Sequence, residues 1–138
     1  MPNDIHGSDL SLAHLLLRFG LGVNFLMHGL SRLPDVPGFA AHLGQTMAKT
    51  WLPLPLVMAA GYTIPFVELA LGLLLILGLL LRPALVLGAL FMSALAFGTC
   101  LAQNWTVAAE QLIYLFLFAA LLATAGANRY SIDAWRSA

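Results

Sequence analysis

Charge is what this chain has least of. Six lysines and arginines and six aspartates and glutamates serve 138 residues, 9 % of the total, and the net charge is zero. A soluble domain carries about 25 % charged residues, so a water-soluble surface cannot be covered here. With no basic excess, the electrostatic footprint for nucleic acid is absent too, and no nucleic-acid partner is expected. Cysteine is nearly missing: Cys100 stands alone. It can form no disulfide within the chain, no CxxC redox pair and no cysteine metal cluster, and it reads as a small packing residue. Serine–histidine–acid order, phosphate-loop glycines and zinc-ligand spacing do not occur, so no metal site is expected.

Apolar residues are what is there, at 61 %. They fall into four runs, at about 12–33, 56–81, 83–103 and 107–125, each near the ~20 residues a bilayer requires. Backbone polar groups in lipid need partners within their own segment, so all four must be helices. The reading is an all-α integral membrane four-helix bundle forming a single transmembrane domain over residues 1–138. No Lys or Arg precedes the first run, unlike a secretory leader with its basic start, so that run is expected to be a retained helix.

The links differ. "LRP" and "QNWT" are tight and predict antiparallel hairpins, with Pro83 suited to a helix start. The first link, "PDVPGFAAHLGQTMAKTWLPLP", is long, and Phe39, Leu43, Met47 and Trp51 recur in it every four residues. That spacing predicts a short interfacial helix over about 37–51 with its apolar side toward the membrane. Four spans place both termini on one side with Arg82, Arg129 and Arg136, against Arg32 and Lys49 on the other. The excess of basic residues places the termini in the cytoplasm.

The informative residues are polar groups inside the runs. On the first helix Arg18, Asn24, His28 and Arg32 share about 120° of arc with Leu21 and Phe25. A charge at mid-bilayer costs about 2.5 kcal/mol or more, so this face is expected to look at protein or water. Glu68 lies near the middle of the second run, and an Arg18–Glu68 pair is the expected arrangement. Pro65 frees the carbonyl of Gly61, which binds a ligand or kinks the helix. Glu110 and Tyr114 share a face at the start of the fourth helix, with Gln111 beside them. These residues are expected to converge on a polar chamber at the membrane edge. Each also has a plainer reading: Arg18 with Glu68 as a register-setting pair, His28 as a hydrogen-bonded side chain, Glu110 as a partner of the helix dipole. His14 and His28 are fourteen apart and fall nearly on one face, but His6 and His42 lie outside the runs, which leaves bis-histidine haem ligation within one chain unsupported.

The pattern "LLLRFGLGVNFLMHGLSRL", then "PFVELALGLLLILGLLLRPA", then "GANRYSIDAWR" resembles the DoxX family of small four-helix membrane proteins of bacteria and archaea. The likeness runs from about Leu12 to Asp133. It departs at Arg32, where the family often has lysine, and near Ala70, where it often has a second glycine. The resemblance implies an inner-membrane location and an association with redox chemistry, since founding members are subunits linked to thiosulfate oxidation with quinone as acceptor. On that basis the first expectation is a quinone-linked subunit or accessory of a membrane oxidoreductase, not catalytic alone. His28 and Glu68 would carry the chemistry, and Arg18, Asn24, Arg32, Glu110 and Tyr114 would bind the ligand. Quinone is the only cofactor implied, and none is covalently held. Electrons would come from a soluble oxidoreductase partner or a soluble substrate. The alternatives are a non-catalytic membrane anchor for a soluble redox enzyme, and a small carrier, which with four helices would act as a homo-oligomer in the lipid.

Overall fold

The structure, a computed structural model, describes residues 3–137, with side chains from Gly7 onward. It is all-α. Helix α1 (Asn3–Arg32) passes through a short 3-10 turn (Leu33–Asp35) into α2 (Val36–Met47). Then come α3 (Leu54–Leu77), α4 (Leu81–Leu101), α5 (Trp105–Ala123), a second 3-10 turn (Ala125–Ala127) and the short α6 (Ile132–Arg136). Helices α1, α3, α4 and α5 are long and apolar enough to cross a membrane.

The polar residues of the links set the helix ends. The Asp35 side chain accepts from the Gly38 amide to start α2, and the Asn104 side chain accepts from the Val107 amide to start α5. Such N-caps satisfy backbone donors that the helix itself leaves free. Helix α3 ends at Gly78, whose φ of 63° is the left-handed conformation that glycine takes without a Cβ penalty. The residue that precedes the next helix, Leu80, is also left-handed at φ 49°, a strained position for a bulky residue.

Close approach follows glycine rather than link length. Helix α1 lies antiparallel on α3. A Cβ on Gly22 would stand 2.8 Å from the Ile76 side chain, and one on Gly72 would stand 2.5 Å from the Leu26 amide nitrogen. One on Gly29 would meet Leu69 and the Pro65 carbonyl oxygen. Small residues of this kind let helix backbones touch in lipid, where dispersion drives association. Helices α4 and α5 pack as a second pair, with the Phe118 ring lying over Gly88. The tight α3–α4 link joins helices in looser contact than either of these pairs. Leucine and phenylalanine side chains fill the space between the pairs, with Leu21, Phe25, Leu71, Leu75, Leu85, Phe118 and Leu121 in the buried core.

Helix α2 is shorter than the 37–51 expected for it. It packs along the first turns of α3, with Ala40 against Gly61 and Gly44 against Leu54 and Met58. Its buried residues are Ala40, Gly44 and Met47, and the two small ones stand against α3. The helix stops at Met47, and Trp51 lies beyond it in the link, 72 % exposed, edge-on to Phe97.

Candidate functional site

The interior polar groups divide between the two ends of the bundle. At the α2 end lies a cavity of about 560 Å³, bounded by α1, α2, α3, α4 and α5, a size usual for a small-molecule site. Asn24, His28, Arg32, Glu68, Glu110 and Tyr114 all line it. Thr46, Thr99, Asn104 and Gln111 add further polar groups, and the rest of its walls are apolar, with Phe25, Phe39, Leu43 and Met92 among them.

Arg32, not Arg18, is the partner of Glu68. The Arg32 Nη1 donates to Glu68 Oε1 in a direct ion pair. The Arg32 guanidinium also sits 4.5 Å from the centroid of the Phe39 ring, a cation–π contact. Glu68 is 5 % exposed, and its other oxygen, Oε2, has no hydrogen-bond partner among the described residues. At the rim the Thr99 hydroxyl is 2.6 Å from Gln111 Oε1, joining α4 to α5. Tyr114 packs edge-on against the buried Phe25, ring centroids 6.0 Å apart. His28 and Glu110 are exposed at the chamber's margin, and Asn24 is half-buried.

Arg18 is buried elsewhere. The glycine contacts fix the register: Gly29 lies against Pro65 and Leu69, and Gly22 against Gly72 and Ile76. Extended along α1, this register puts Arg18 beside Gly78 and Glu68 beside His28. The two groups are then ten residues apart along α3, or about 15 Å at 1.5 Å per residue. A pairing inferred from the ends of the apolar runs misses this, because α1 begins well before its apolar run does.

The Arg18 end is closed by the chain's own C-terminal segment. Arg18 is 1 % exposed. Its Nη2 donates to the Tyr130 carbonyl oxygen at 2.6 Å, and its guanidinium occupies the space where a Cβ of Gly78 would stand. Asp133 stands at the same corner, beside Gly78. It also accepts from the Leu80 amide at 2.9 Å and the Leu81 amide at 2.8 Å, while its own amide donates to the Gly78 carbonyl. One carboxylate therefore caps α4 and tethers the tail. One turn before Arg18, the His14 ring nitrogen Nδ1 is 2.9 Å from the Thr124 hydroxyl, and that hydroxyl reaches the Ala120 carbonyl at 2.8 Å. His14 is thus a buried strut between α1 and the end of α5, and His28 is about 21 Å further along α1 at 1.5 Å per residue.

Sequence reasoning missed three contacts: Phe39 on Arg32, Thr99 on Gln111, and Asp133 on the start of α4. The last had a signal, since Asp133 belongs to the quoted terminal motif. Thr99 and Gln111 flank the tight third link and so had to face each other. The Phe39 stripe was visible, but its direction depends on how α2 meets α3.

No curated protein and no solved structure matches the chain. The sequence model of the family described as DoxX matches residues 13–101, from α1 through α4. With most of its length matched, and with four helices able to span a membrane, this multi-pass membrane protein belongs to the DoxX family.

Proposed function

We propose that this protein is a quinone-linked subunit or accessory of a membrane oxidoreductase system, set in the cytoplasmic membrane of a bacterium or archaeon with its termini in the cytoplasm. The observation that carries the reading is the chamber. It joins apolar and aromatic walls to a small set of polar groups at one end of the bundle, which is what a ring on an isoprenoid tail requires. A quinone would supply two-electron, two-proton redox chemistry there. The chain's own residues bind and orient. The His28 imidazole at the margin donates to one ring carbonyl and exchanges a proton with water. Asn24, Arg32, Glu110 and Tyr114 face the rest of the ring, and Phe25 and Phe39 exclude water. Glu68 holds Arg32 in place, and Arg18 takes no part. Electrons come from a soluble oxidoreductase partner or a soluble substrate.

The test is difference spectroscopy of purified protein with added menaquinone and ubiquinone. Wild type is expected to show a saturable shift with one of them. His28→Ala should weaken it about tenfold, the loss of one hydrogen bond of about 1.4 kcal/mol. Equal binding by wild type and His28→Ala removes His28 from the site. No saturable shift with either quinone overturns the reading and leaves a non-catalytic membrane anchor or a small carrier as the alternatives to test.

A further inference from the structure

The Arg32–Glu68 pair leaves one atom over. Oε1 of Glu68 holds Arg32, while Oε2 is buried without a hydrogen-bond partner among the described residues. A carboxylate in an ion pair can only accept a hydrogen bond. Left unmatched, a buried acceptor costs about 1–3 kcal/mol, and more when charged. Arg32 is bonded to Oε1 and covered by Phe39, and none of the other donors that line the chamber, Asn24, His28, Gln111 and Tyr114 among them, bonds Oε2. A second carboxylate, Glu110, lines the same chamber one turn before Tyr114, and it too is an acceptor. The chamber thus presents two carboxylates to whatever ring it takes.

The oxidised and reduced rings answer such a chamber differently. A quinone brings two carbonyl oxygens, both acceptors, and one of them set against Oε2 meets repulsion. A hydroquinone brings two hydroxyl donors. We infer that the chamber selects the reduced ring: Glu68 Oε2 accepts from one hydroxyl of a hydroquinone, and Glu110 is the acceptor available to the other. The inference rests on the chamber being a quinone-class site and adds to it the redox state preferred. By linkage, tighter binding of the reduced form makes the bound couple more oxidising than the free one. Glu68 is then a specificity-determining residue as well as a structural one.

The experiment uses full-length protein in lipid nanodiscs under anaerobic conditions. Three ligands are titrated against empty-disc controls: 2-methyl-1,4-naphthoquinone, its dithionite-reduced hydroquinone, and the 1,4-dimethyl ether of that hydroquinone. The ether keeps the ring and removes both donors. Wild type is expected to bind the hydroquinone about tenfold more tightly than either other ligand, as one charge-assisted hydrogen bond supplies. In Glu68→Gln the hydroquinone-to-quinone preference should fall to about threefold or less. Equal affinity for quinone and hydroquinone, or for hydroquinone and its ether, overturns the inference and leaves the quinone-site reading standing. An unchanged preference in a folded Glu68→Gln also overturns the role of Glu68. If no ring binds, both readings fall. Should Glu68→Gln not fold, the three-ligand comparison on wild type decides alone.

Discussion

Two arginines on one helix meet opposite ends of the protein, and the difference lies in what surrounds each guanidinium. Arg32 is partly exposed, shares a carboxylate and lies on an aromatic face. Arg18 is enclosed and bonded to a backbone carbonyl. Removing one member of a buried pair strands the other, at a cost of about 3–5 kcal/mol, whereas replacing both with apolar groups of like volume is often neutral. Arg32→Met and Glu68→Leu singly should therefore lower the melting temperature in detergent, and the double variant should recover most of the loss. Additive losses in the double variant would show that the two side chains do not act as a pair. That a polar face exists on α1 was legible at this scale from helical spacing alone. Which arginine faces Glu68 was not, because a four-residue periodicity fixes angle around the axis and leaves height along it open.

Height is set between elements. Along α1 and α3 it is fixed by Gly22, Gly29 and Gly72, where neighbouring backbones occupy the space of the missing side chains. A methyl at position 72 would meet the Leu26 amide nitrogen at 2.5 Å and the Gly22 carbonyl oxygen at 2.9 Å. These are backbone atoms that cannot swing aside. Gly72→Ala should cost about 1–3 kcal/mol, the range for overpacking, and Gly20→Ala, whose Cβ meets nothing within 4 Å, should be close to neutral. Thermal unfolding of the two variants side by side checks this, and equal melting temperatures would contradict the close approach. The four long helices could be read from hydropathy because lipid imposes their length. The pose of α2 could not, since its contact with α3 is made by alanine and glycine, which carry no amphipathic signal, and its larger residues turn to the chamber.

At the scale of the whole molecule the polar groups make two poles. The chamber pole carries Arg32 and Lys49, and the tail pole carries Arg82, Arg129 and Arg136. The slight basic excess at the tail pole favours that end in the cytoplasm. In a Cys100→Ser background, Ala48→Cys should react with an impermeant maleimide from outside intact spheroplasts, and Ser137→Cys should react only after lysis. The reverse pattern would invert the orientation, bringing the chamber mouth to the cytoplasm and to any soluble partner there. The tail pole has a further meaning through Asp133, which supplies acceptors to the first amides of α4 from 52 positions downstream. During biosynthesis the third span, α4, is made before its start can be sealed, so all four spans can be threaded into the bilayer while that corner stays open. The corner shuts only once Asp133, beyond the fourth span, has been made, which puts closure of the fold after the making of its spans.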